Sequence, residues 1–327
     1  MQIGTHWTTY WTTGPGRGEL LTEPARTPGD EEVLVRTLVS GISRGTELLV
    51  HRGAVPAPVA EVMRAPFQRG TFPWPVAYGY LSVGIVEAGP PELAGRRVFC
   101  LHPHQDRYVV PAAAVTPIPD AVPTERAVLA GAVETAINAI WDATPQFGDR
   151  IAVVGAGMIG GALARLLANF PLERLELVDV NPARARLARP PVAFVSPHDA
   201  AADCDVVFHC SASEAGLATG LGLLGFEGEL IELSWYGDTT PAVPLGAAFH
   251  ARRLSLRASQ VGSVAPSRRA RRTTADRLRL ALDQLRDPGF DDFLTGRSAF
   301  SSLPATMDAI AADPEVLCRV VTYDEEP

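Results

Sequence analysis

The most informative stretch of this chain is Val153-Val154-Gly155-Ala156-Gly157-Met158-Ile159-Gly160. It follows an apolar, strand-like run and opens a segment with helical periodicity, so the three glycines fall between a buried strand and a helix. In this arrangement the first glycine permits a tight turn, the second lets backbone amides approach a pyrophosphate, and the third allows close helix–strand contact. The N-terminus of the following helix also attracts phosphate. The stretch therefore predicts a dinucleotide-binding turn.

An acidic residue indicates which dinucleotide is expected. Asp179 ends the next strand-like run, 19 residues beyond Gly160, where the acid that binds the adenosine ribose belongs. Its carboxylate can accept hydrogen bonds from the ribose hydroxyls of NAD. The 2′-phosphate of NADP would instead bring like charges together, at a cost on the order of several kcal/mol. Arg184 and Arg186 follow closely and could still accommodate NADP, but the sequence favours NAD.

Strand and helix patterns alternate from about residue 121 onward. Strands are expected at 150–154, 175–179, 205–210, 229–233 and 254–260, and helices at 125–142, 157–169 and 215–224. Short apolar strands that alternate with helices are typical of a doubly wound parallel sheet. The predicted fold class of this part is therefore α/β.

The first 120 residues have a different pattern, with short strands punctuated by glycine and proline. These strands are expected at 33–39, 82–88, 97–101 and 107–110, and the proline-rich segment 53–75 is expected to be a surface loop near a site. A charged helix over 273–286 and a return segment over 300–323 are expected to rejoin this domain. We predict one domain from residues 1–120 with 267–327, and a second from residues 121–266.

Composition excludes several kinds of chemistry. All 29 residues in the lysine-plus-arginine count are arginine, so pyridoxal-phosphate, Schiff-base and P-loop enzymes, which need a lysine, are ruled out. Reductases that pair a tyrosine with a lysine are ruled out for the same reason. The net charge of −8 argues against a nucleic-acid partner. Four cysteines without a CxxC pair, no signal-like start and no membrane-length apolar run predict a cytoplasmic protein with free thiols.

The domain order and several short motifs resemble the medium-chain dehydrogenase/reductase superfamily over essentially the whole chain. The motifs are Val39–Ser43, Tyr78–Tyr80 ahead of Val83–Gly89, Tyr108–Ala112, and Gly148–Arg150 ahead of the glycine turn. The run Ser40–Glu47 is especially similar to the bacteriochlorophyllide-dehydrogenase-like branch. The resemblance implies a GroES-like β-barrel joined to a Rossmann domain, with the active site in the cleft between them.

The zinc ligands of that superfamily are missing from this chain. Where zinc-dependent members carry a cysteine, a Gly-His-Glu triplet and a further ligand, this sequence has Ser43, Gly79-Tyr80-Leu81 and Gly131. Zinc requires three or four nitrogen, sulfur or carboxylate ligands. The four-cysteine lobe that holds a structural zinc is absent as well. We therefore expect a zinc-independent member without a metal site, with His102, His104 and Asp106 as a weaker metal-binding alternative.

Without zinc, side chains must stabilise the developing alkoxide and deliver a proton. Tyr80 stands at a former ligand position, and a tyrosine hydroxyl, with an ordinary pKa of about 10, can perform both tasks. The alternative is that its ring only fills the vacated volume. Ser43, Thr46 and His104 are the further catalytic candidates, and Thr46 matches a hydroxyl that relays protons in zinc-dependent members. Glu47 aligns with an acid that supports the zinc shell, and could pair with Arg44 or act as a base in the substrate pocket.

The resemblance also suggests cofactor and substrate contacts. Arg44 occupies a position that commonly meets the pyrophosphate, and Thr135 a position that presses on the nicotinamide. Glu134 beside it is either a solvated or capping acid or a substrate-pocket group. Polar residues after two later strands are expected in the ligand crevice of the sheet, namely Ser211, Ser234 and Trp235.

Two remaining features have ordinary explanations. A run of arginines is expected to coat a solvated helix, with a site for an anionic group as the alternative; it comprises Arg268, Arg269, Arg271, Arg272, Arg277 and Arg279. His51 lies in a predicted loop and is expected to be structural.

These observations predict a zinc-independent, NAD(H)-dependent oxidoreductase that interconverts a secondary alcohol and a ketone on a small or medium polar metabolite. One alternative is conjugate reduction of an enone or quinone, a reaction that usually uses NADPH, so Asp179 argues against it. The other is a catalytically silent, cofactor-binding regulator. The resemblance also suggests a homodimer formed through the edge strand near 254–260.

Overall fold

The computed structural model describes residues 5–323, which divide into two compact units. The first unit consists of two chain segments, one that ends at Gly131 and one that begins at Leu282. The second unit runs from Ala132 to Ala281. The predicted borders, at 120 and 266, lie earlier along the chain than these. The second unit extends past residue 266 because helix Thr274–Gln284 is joined to helix Ala130–Ala143 by a buried ion pair between Arg277 and Glu134.

The first unit is built mainly from β-structure. In chain order it begins with β1 (His6–Gly14), β2 (Arg17–Pro24), β3 (Glu32–Ser43), helix α1 (Arg44–Arg52), β4 (Arg69–Gly70), β5 (Val76–Ala77), β6 (Ser82–Ala88), β7 (Arg97–Cys100), β8 (Arg107–Pro111) and β9 (Val115–Pro117). Strand β3 is long and mostly buried, and it pairs with both β6 and β8. The strands β2, β1, β5 and β4 form a separate antiparallel sheet in that order.

The second unit is an alternating helix–strand structure. Its elements are α2 (Ala130–Ala143), β10 (Arg150–Val154), α3 (Met158–Leu167), β11 (Arg174–Val178), β12 (Ala193–Val195), β13 (Cys204–His209), α4 (Glu214–Leu223), β14 (Leu224–Glu232), β15 (Ser255–Ala258) and α5 (Thr274–Gln284). The six strands form a parallel sheet in the order β12-β11-β10-β13-β14-β15. This is the doubly wound order, in which ligands bind where the order reverses, between β10 and β13. The predicted α/β class is confirmed.

The end of the chain belongs to the first unit. It contributes β16 (Leu294–Ala299), α6 (Leu303–Ala312) and β17 (Cys318–Thr322). Strand β17 pairs with β3, which completes a seven-stranded sheet. Apolar side chains of α6, including Leu303 and Met307, pack in one cluster with Tyr10 and Ile42 from the start of the chain. This shared core explains why the two distant segments fold together.

Shorter helical turns connect these elements. They are the 3-10 turns Ala57–Val59, Ala112–Ala114, Arg126–Leu129, Pro182–Leu187, Pro288–Phe293 and Phe300–Ser302, and the π-helical turn Leu245–Phe249. Within residues 5–323, no helix is both long and apolar enough to cross a membrane. The four cysteines form no disulfide.

Candidate functional site

The glycine turn follows directly from β10. Gly155 has a φ of +104°, and a Cβ at that position would lie 2.7 Å from the backbone nitrogen of Ser211. A Cβ at Gly160 would lie 1.9 Å from the carbonyl oxygen of Gly155, so only glycine permits this approach of helix to strand. No atom lies within 4 Å of a Cβ position at Gly157, which leaves its backbone open. Met158 and Ile159 then begin α3, and the turn has the form that a pyrophosphate requires.

Asp179 lies against this turn. Its Oδ2 accepts a hydrogen bond from the amide of Ala156 at 2.6 Å, and its Oδ1 accepts one from the amide of Asn181 at 2.8 Å. A carboxylate oxygen can accept two hydrogen bonds, so both oxygens retain capacity for ribose hydroxyls. Of the two arginines that follow, Arg184 is buried and Arg186 is exposed. The residues present therefore fit a dinucleotide.

Polar residues also gather after β13 and β14, at the same edge of the sheet. Ser211 and Ser234 are both half-buried, and Ser234 Oγ accepts a hydrogen bond from the amide of Ala212 at 3.0 Å. Trp235 follows Ser234 and is also half-buried. Sequence reasoning missed the two residues that organise this cluster, His209 and Glu232. A histidine inside an apolar strand was the available signal for the first of them.

In the first unit, Tyr80 lies beside two of the predicted hydroxyls. Burial raises the pKa of Tyr80 to about 12, with a further rise from the charge of Glu47, while hydrogen bonds from Ser43 and Thr46 oppose these effects. Its side chain remains partly exposed. The phenol is therefore a neutral proton donor over the whole physiological range.

Glu47 and His104 form the charged centre of this cluster. Oε1 of Glu47 accepts a hydrogen bond from the amide of Ser43 at 2.7 Å, and Oε2 lies 2.8 Å from Nε2 of His104. Both side chains are almost fully buried. Glu47 does not pair with Arg44: its carboxylate is engaged by Ser43 and His104, while Nε of Arg44 donates to the carbonyl oxygen of Ile310 at 3.2 Å.

The cluster continues through two residues that sequence reasoning missed. Nδ1 of His104 lies 2.7 Å from the hydroxyl of Ser40, which in turn lies 3.0 Å from the hydroxyl of Tyr323. A carboxylate only accepts hydrogen bonds, so Glu47 accepts from Nε2–H of His104 and leaves Nδ1 to the hydroxyl of Ser40. The five predicted residues Ser43, Thr46, Glu47, Tyr80 and His104 thus belong to one hydrogen-bonded cluster, which we call the Tyr80 cluster together with Ser40 and Tyr323.

The neighbouring glycines leave room for this cluster. Gly79 has a φ of +125°, and a Cβ there would lie 2.9 Å from Cδ2 of His104. A Cβ at Gly131 would lie 2.6 Å from the side chain of Leu81 and 3.8 Å from the ring of Tyr80. The third former ligand position therefore faces Tyr80, but it has no side chain to offer.

In the part of the chain that the structure describes, no group of three or more His, Cys, Asp or Glu side chains is placed to hold an ion. His102 does not join His104, since its ring stacks on Tyr108 with centroids 3.7 Å apart. Burial lowers the pKa of His102 to about 3, so this ring is neutral. Asp106 instead accepts a hydrogen bond from the amide of Thr8 at 2.9 Å.

Two predictions about helices α2 and α5 need correction. Arg277 was expected in solvent, but it is 1% exposed and its Nε and Nη2 donate to Oε1 of Glu134 at 3.0 and 2.9 Å. Glu134 was expected to be either a solvated or capping acid or a substrate-pocket group, and it is not solvated, because it is buried in this ion pair. The charges neutralise each other where each alone would be costly to bury. Thr135, on the same helix, is half-buried.

His51 contacts side chains of two other elements of the first unit. It is buried, with Nδ1 3.4 Å from the hydroxyl of Tyr10 and Nε2 3.3 Å from Oδ1 of Asp308. These contacts join α1 to β1 and α6.

No protein-family model matches the sequence, and no curated protein is significantly similar to it. Solved structures do match. A short-chain alcohol dehydrogenase from Escherichia coli, complexed with NADH, has a TM-score of 0.78 at 16% identity and covers 98% of this chain and 100% of its own. L-idonate 5-dehydrogenase from Escherichia coli has a TM-score of 0.79 at 15% identity and covers 98% and 99%.

A third similar structure is 2R,3R-butanediol dehydrogenase from Bacillus subtilis, with a TM-score of 0.76 at 14% identity, covering 97% of this chain and 100% of its own. Identity at this level shows a shared fold and does not transfer a substrate. The predicted two-domain architecture, a β-rich domain with a doubly wound dinucleotide domain, is confirmed over nearly the full length.

Proposed function

We propose that this chain, which has the fold of the medium-chain dehydrogenase/reductase superfamily, is an NAD(H)-dependent oxidoreductase that interconverts a secondary alcohol and a ketone without zinc. The substrate is proposed to be a small or medium polar metabolite. The observation that carries the proposal is the Tyr80 cluster, in which a neutral phenol stands among hydroxyls at a former metal-ligand position. The glycine turn and Asp179 supply the second requirement, a place for the dinucleotide.

A bound nicotinamide supplies or accepts the hydride in such a reaction. On the protein side, the backbone of the glycine turn and the N-terminus of α3 would hold the pyrophosphate, and Asp179 would hold the adenosine ribose. We propose that Thr135, Ser211 and Ser234 line the rest of this site. Arg44, whose Nε is bonded to Ile310, keeps its terminal nitrogens as candidates for a phosphate contact.

The proposed role of Tyr80 is to donate its proton to the substrate oxygen during ketone reduction. Its pKa of about 12 leaves the proton in place at neutral pH, and the substrate oxyanion is a stronger base that can take it. Ser43 and Thr46, whose hydrogen bonds lower the pKa of Tyr80, would stabilise the phenolate that forms. Glu47 and His104, linked to Ser40, provide buried groups that can return a proton.

Zinc independence is proposed from the chemistry of the former ligand positions. Ser43 and Tyr80 offer neutral hydroxyls and Gly131 offers no side chain, whereas zinc sites use thiolate, imidazole or carboxylate ligands. Tyr80 could ligate zinc only as a phenolate, which its raised pKa disfavours. These three residues do not fit the metal, so no step is assigned to it.

Cofactor selectivity tests the nucleotide part of this proposal. We expect NADH to bind at least about tenfold more tightly than NADPH in a fluorescence titration, because Asp179 repels a 2′-phosphate. Asp179→Asn should reduce this ratio towards one, since it removes the charge and keeps the shape. Glu173→Gln, the same change at the exposed opposite end of β11, should leave the ratio unchanged. Equal affinity of the unmodified protein for both nucleotides would contradict the choice of NAD.

A further inference from the structure

Three aromatic rings lie in contact at the edge of the Tyr80 cluster. The ring of Tyr78 meets that of Tyr80 edge to face, with centroids 5.9 Å apart, and meets that of Phe72 at a tilt of 54°, with centroids 5.7 Å apart. Both distances fall in the range of favourable aromatic pairs. Phe72, Tyr78 and Tyr80 therefore form one continuous series of rings, which we call the Phe72 row.

The two ends of the Phe72 row are open, whereas its middle is closed. Tyr78 is 7% exposed, while Phe72 and Tyr80 are both half-buried. The half-buried phenylalanine ring keeps apolar surface in contact with water, and covering that surface with an apolar group is favourable. The row therefore offers an apolar surface at Phe72 that lies within two ring-to-ring contacts of the Tyr80 hydroxyl.

The backbone around Phe72 holds this ring in a fixed place. Phe72 lies in the short connection between β4 and β5, which pair antiparallel, and within this connection the amide of Thr71 donates to the carbonyl oxygen of Pro75 at 3.2 Å. Trp74, two residues after Phe72, packs on the end of α1, since a Cβ at Gly53 would lie 2.1 Å from its ring. The ring of Phe72 is thus presented by an anchored turn, which limits the ordering that a ligand would require.

The segment that carries the Phe72 row offers few partners to a charged or hydroxylated substrate group. No charged residue occurs in the sequence between Arg69 and Glu87. Arg69 itself donates to the carboxylate of Glu23 and to the hydroxyl of Thr9. A substrate hydroxyl placed against the ring of Phe72 would lose its hydrogen bonds to water without replacement, which costs free energy. The surface at Phe72 therefore suits an apolar group.

We infer that Phe72 is a specificity-determining residue, which selects ketones and secondary alcohols whose reacting carbon is attached to a planar aromatic ring. This inference rests on the proposed function and narrows its substrate class. The substrate oxygen lies at the hydroxyl of Tyr80, and the substrate ring lies against Phe72, while Tyr78 supports both from beneath. Aromatic pairs attract each other beyond the burial of their area, an attraction that a saturated ring of the same size lacks.

Two ketones of matched size test this inference, namely acetophenone, which has an aromatic ring, and cyclohexyl methyl ketone, which has a saturated one. The measured quantity is the ratio of their kcat/KM values in NADH-dependent reduction. The ketones differ in intrinsic reactivity, so the diagnostic result is the change in this ratio between the unmodified protein and Phe72→Leu. We expect the ratio to fall by about three- to tenfold, mainly through a higher KM for acetophenone. Phe72→Tyr, which keeps an aromatic ring, should retain the ratio.

The matched control is Phe67→Leu, which removes a ring of the same segment that stacks on His102 instead, with centroids 5.8 Å apart. This variant should keep the ratio of the unmodified protein. A ratio that is unchanged in Phe72→Leu, or that falls equally in Phe67→Leu, would overturn the inference and leave the proposed function standing.

The aliphatic hydroxyketone acetoin separates failure of the inference from failure of the proposed function. If the unmodified protein reduces acetoin with NADH but reduces neither of the two ring-bearing ketones, the inference is overturned alone. If it reduces none of the three compounds, the inference and the proposed function are both overturned.

Discussion

The phenol of Tyr80 tests the proposed chemistry at the scale of a single atom. Tyr80→Phe keeps the ring that fills the space beside Gly131 and removes only the hydroxyl. If that hydroxyl donates the proton, kcat for NADH-dependent ketone reduction should fall by about a hundredfold or more, which is the usual contribution of a general acid. KM should change only a few fold. Steady-state kinetics monitored through NADH absorbance give both constants.

Tyr78 offers a matched control for this substitution. Its ring lies 5.9 Å from that of Tyr80, and its phenol is also buried, with a pKa raised well above the ordinary value by that burial. Tyr78→Phe should leave kcat nearly unchanged. Because the pKa of Tyr80 is about 12, its proton stays in place as the pH rises, and no loss of kcat from its ionisation is expected below about pH 10. Unchanged turnover in Tyr80→Phe would show that the ring only fills volume.

Individual residues differ in how far the sequence could predict them. Tyr80, Ser43, Thr46 and Glu47 could be named because a family motif marks each position, and His104 because its loop replaces the missing structural-zinc lobe. The partner of Glu47 was not foreseen. The contact between Ser40 and Tyr323 could not be predicted from a motif. Their hydroxyls meet because β17 pairs antiparallel with β3, and no local pattern encodes a contact between residues that are 283 positions apart.

At the scale of elements, the contact between α2 and α5 depends on one buried ion pair. Besides Glu134, the guanidinium of Arg277 bonds to Asn138 and to backbone carbonyl oxygens of Val261 and Ser263. Burial raises the pKa of Glu134, and the charge of Arg277 opposes that rise. Arg277→Met would leave a buried carboxylate alone, so we expect a loss of about 3–5 kcal/mol in the free energy of unfolding, measured by urea denaturation.

Two further variants show whether the loss of stability comes from breaking the ion pair or from removing any arginine of this helix. Arg279→Met, two residues along the same helix, removes an exposed partner of Asp276 and should change the free energy of unfolding by less than about 1 kcal/mol. Glu134→Gln combined with Arg277→Met should be more stable than Arg277→Met alone, because no unpaired charge remains. Equal losses in Arg277→Met and Arg279→Met would contradict the assigned role.

The helices and strands with a strong local sequence pattern were predicted well, whereas those with a weak or irregular pattern were missed. The parallel strands β10, β11 and β13 are apolar runs followed by turn residues, and their predicted positions lie within one residue of the observed ones. Strand β1 was not predicted, because its buried positions do not alternate strictly and it contains an irregular register near Thr12. Helix α1 was also missed, since Gly45 lies in its first turn and the segment carries few apolar side chains.

At the scale of the whole molecule, the composition and the fold together limit which side chains could act as the proton donor. The chain has no lysine, so an ammonium cannot lower the pKa of a catalytic tyrosine. The structure shows instead a phenol with a raised pKa beside a carboxylate, which suits a donor of a proton and does not suit a resting phenolate. Under the proposed function, Tyr80 would therefore serve ketone reduction with hydroxyl partners in place of an ammonium.

The chemistry of Ser43, Tyr80 and Gly131 leads to the last prediction, which concerns the purified protein as a whole. Metal analysis should find well below one zinc per chain, and prolonged treatment with a strong chelator should leave NADH-dependent turnover unchanged, because Ser43, Tyr80 and Gly131 provide neither thiolate, imidazole nor carboxylate. The thermal unfolding curves before and after chelation should coincide, because removal of a structural metal would lower the stability of the fold. Stoichiometric zinc, or turnover that is lost on chelation and restored by added zinc, would show that other side chains of the chain bind the metal and that the Tyr80 cluster acts beside it.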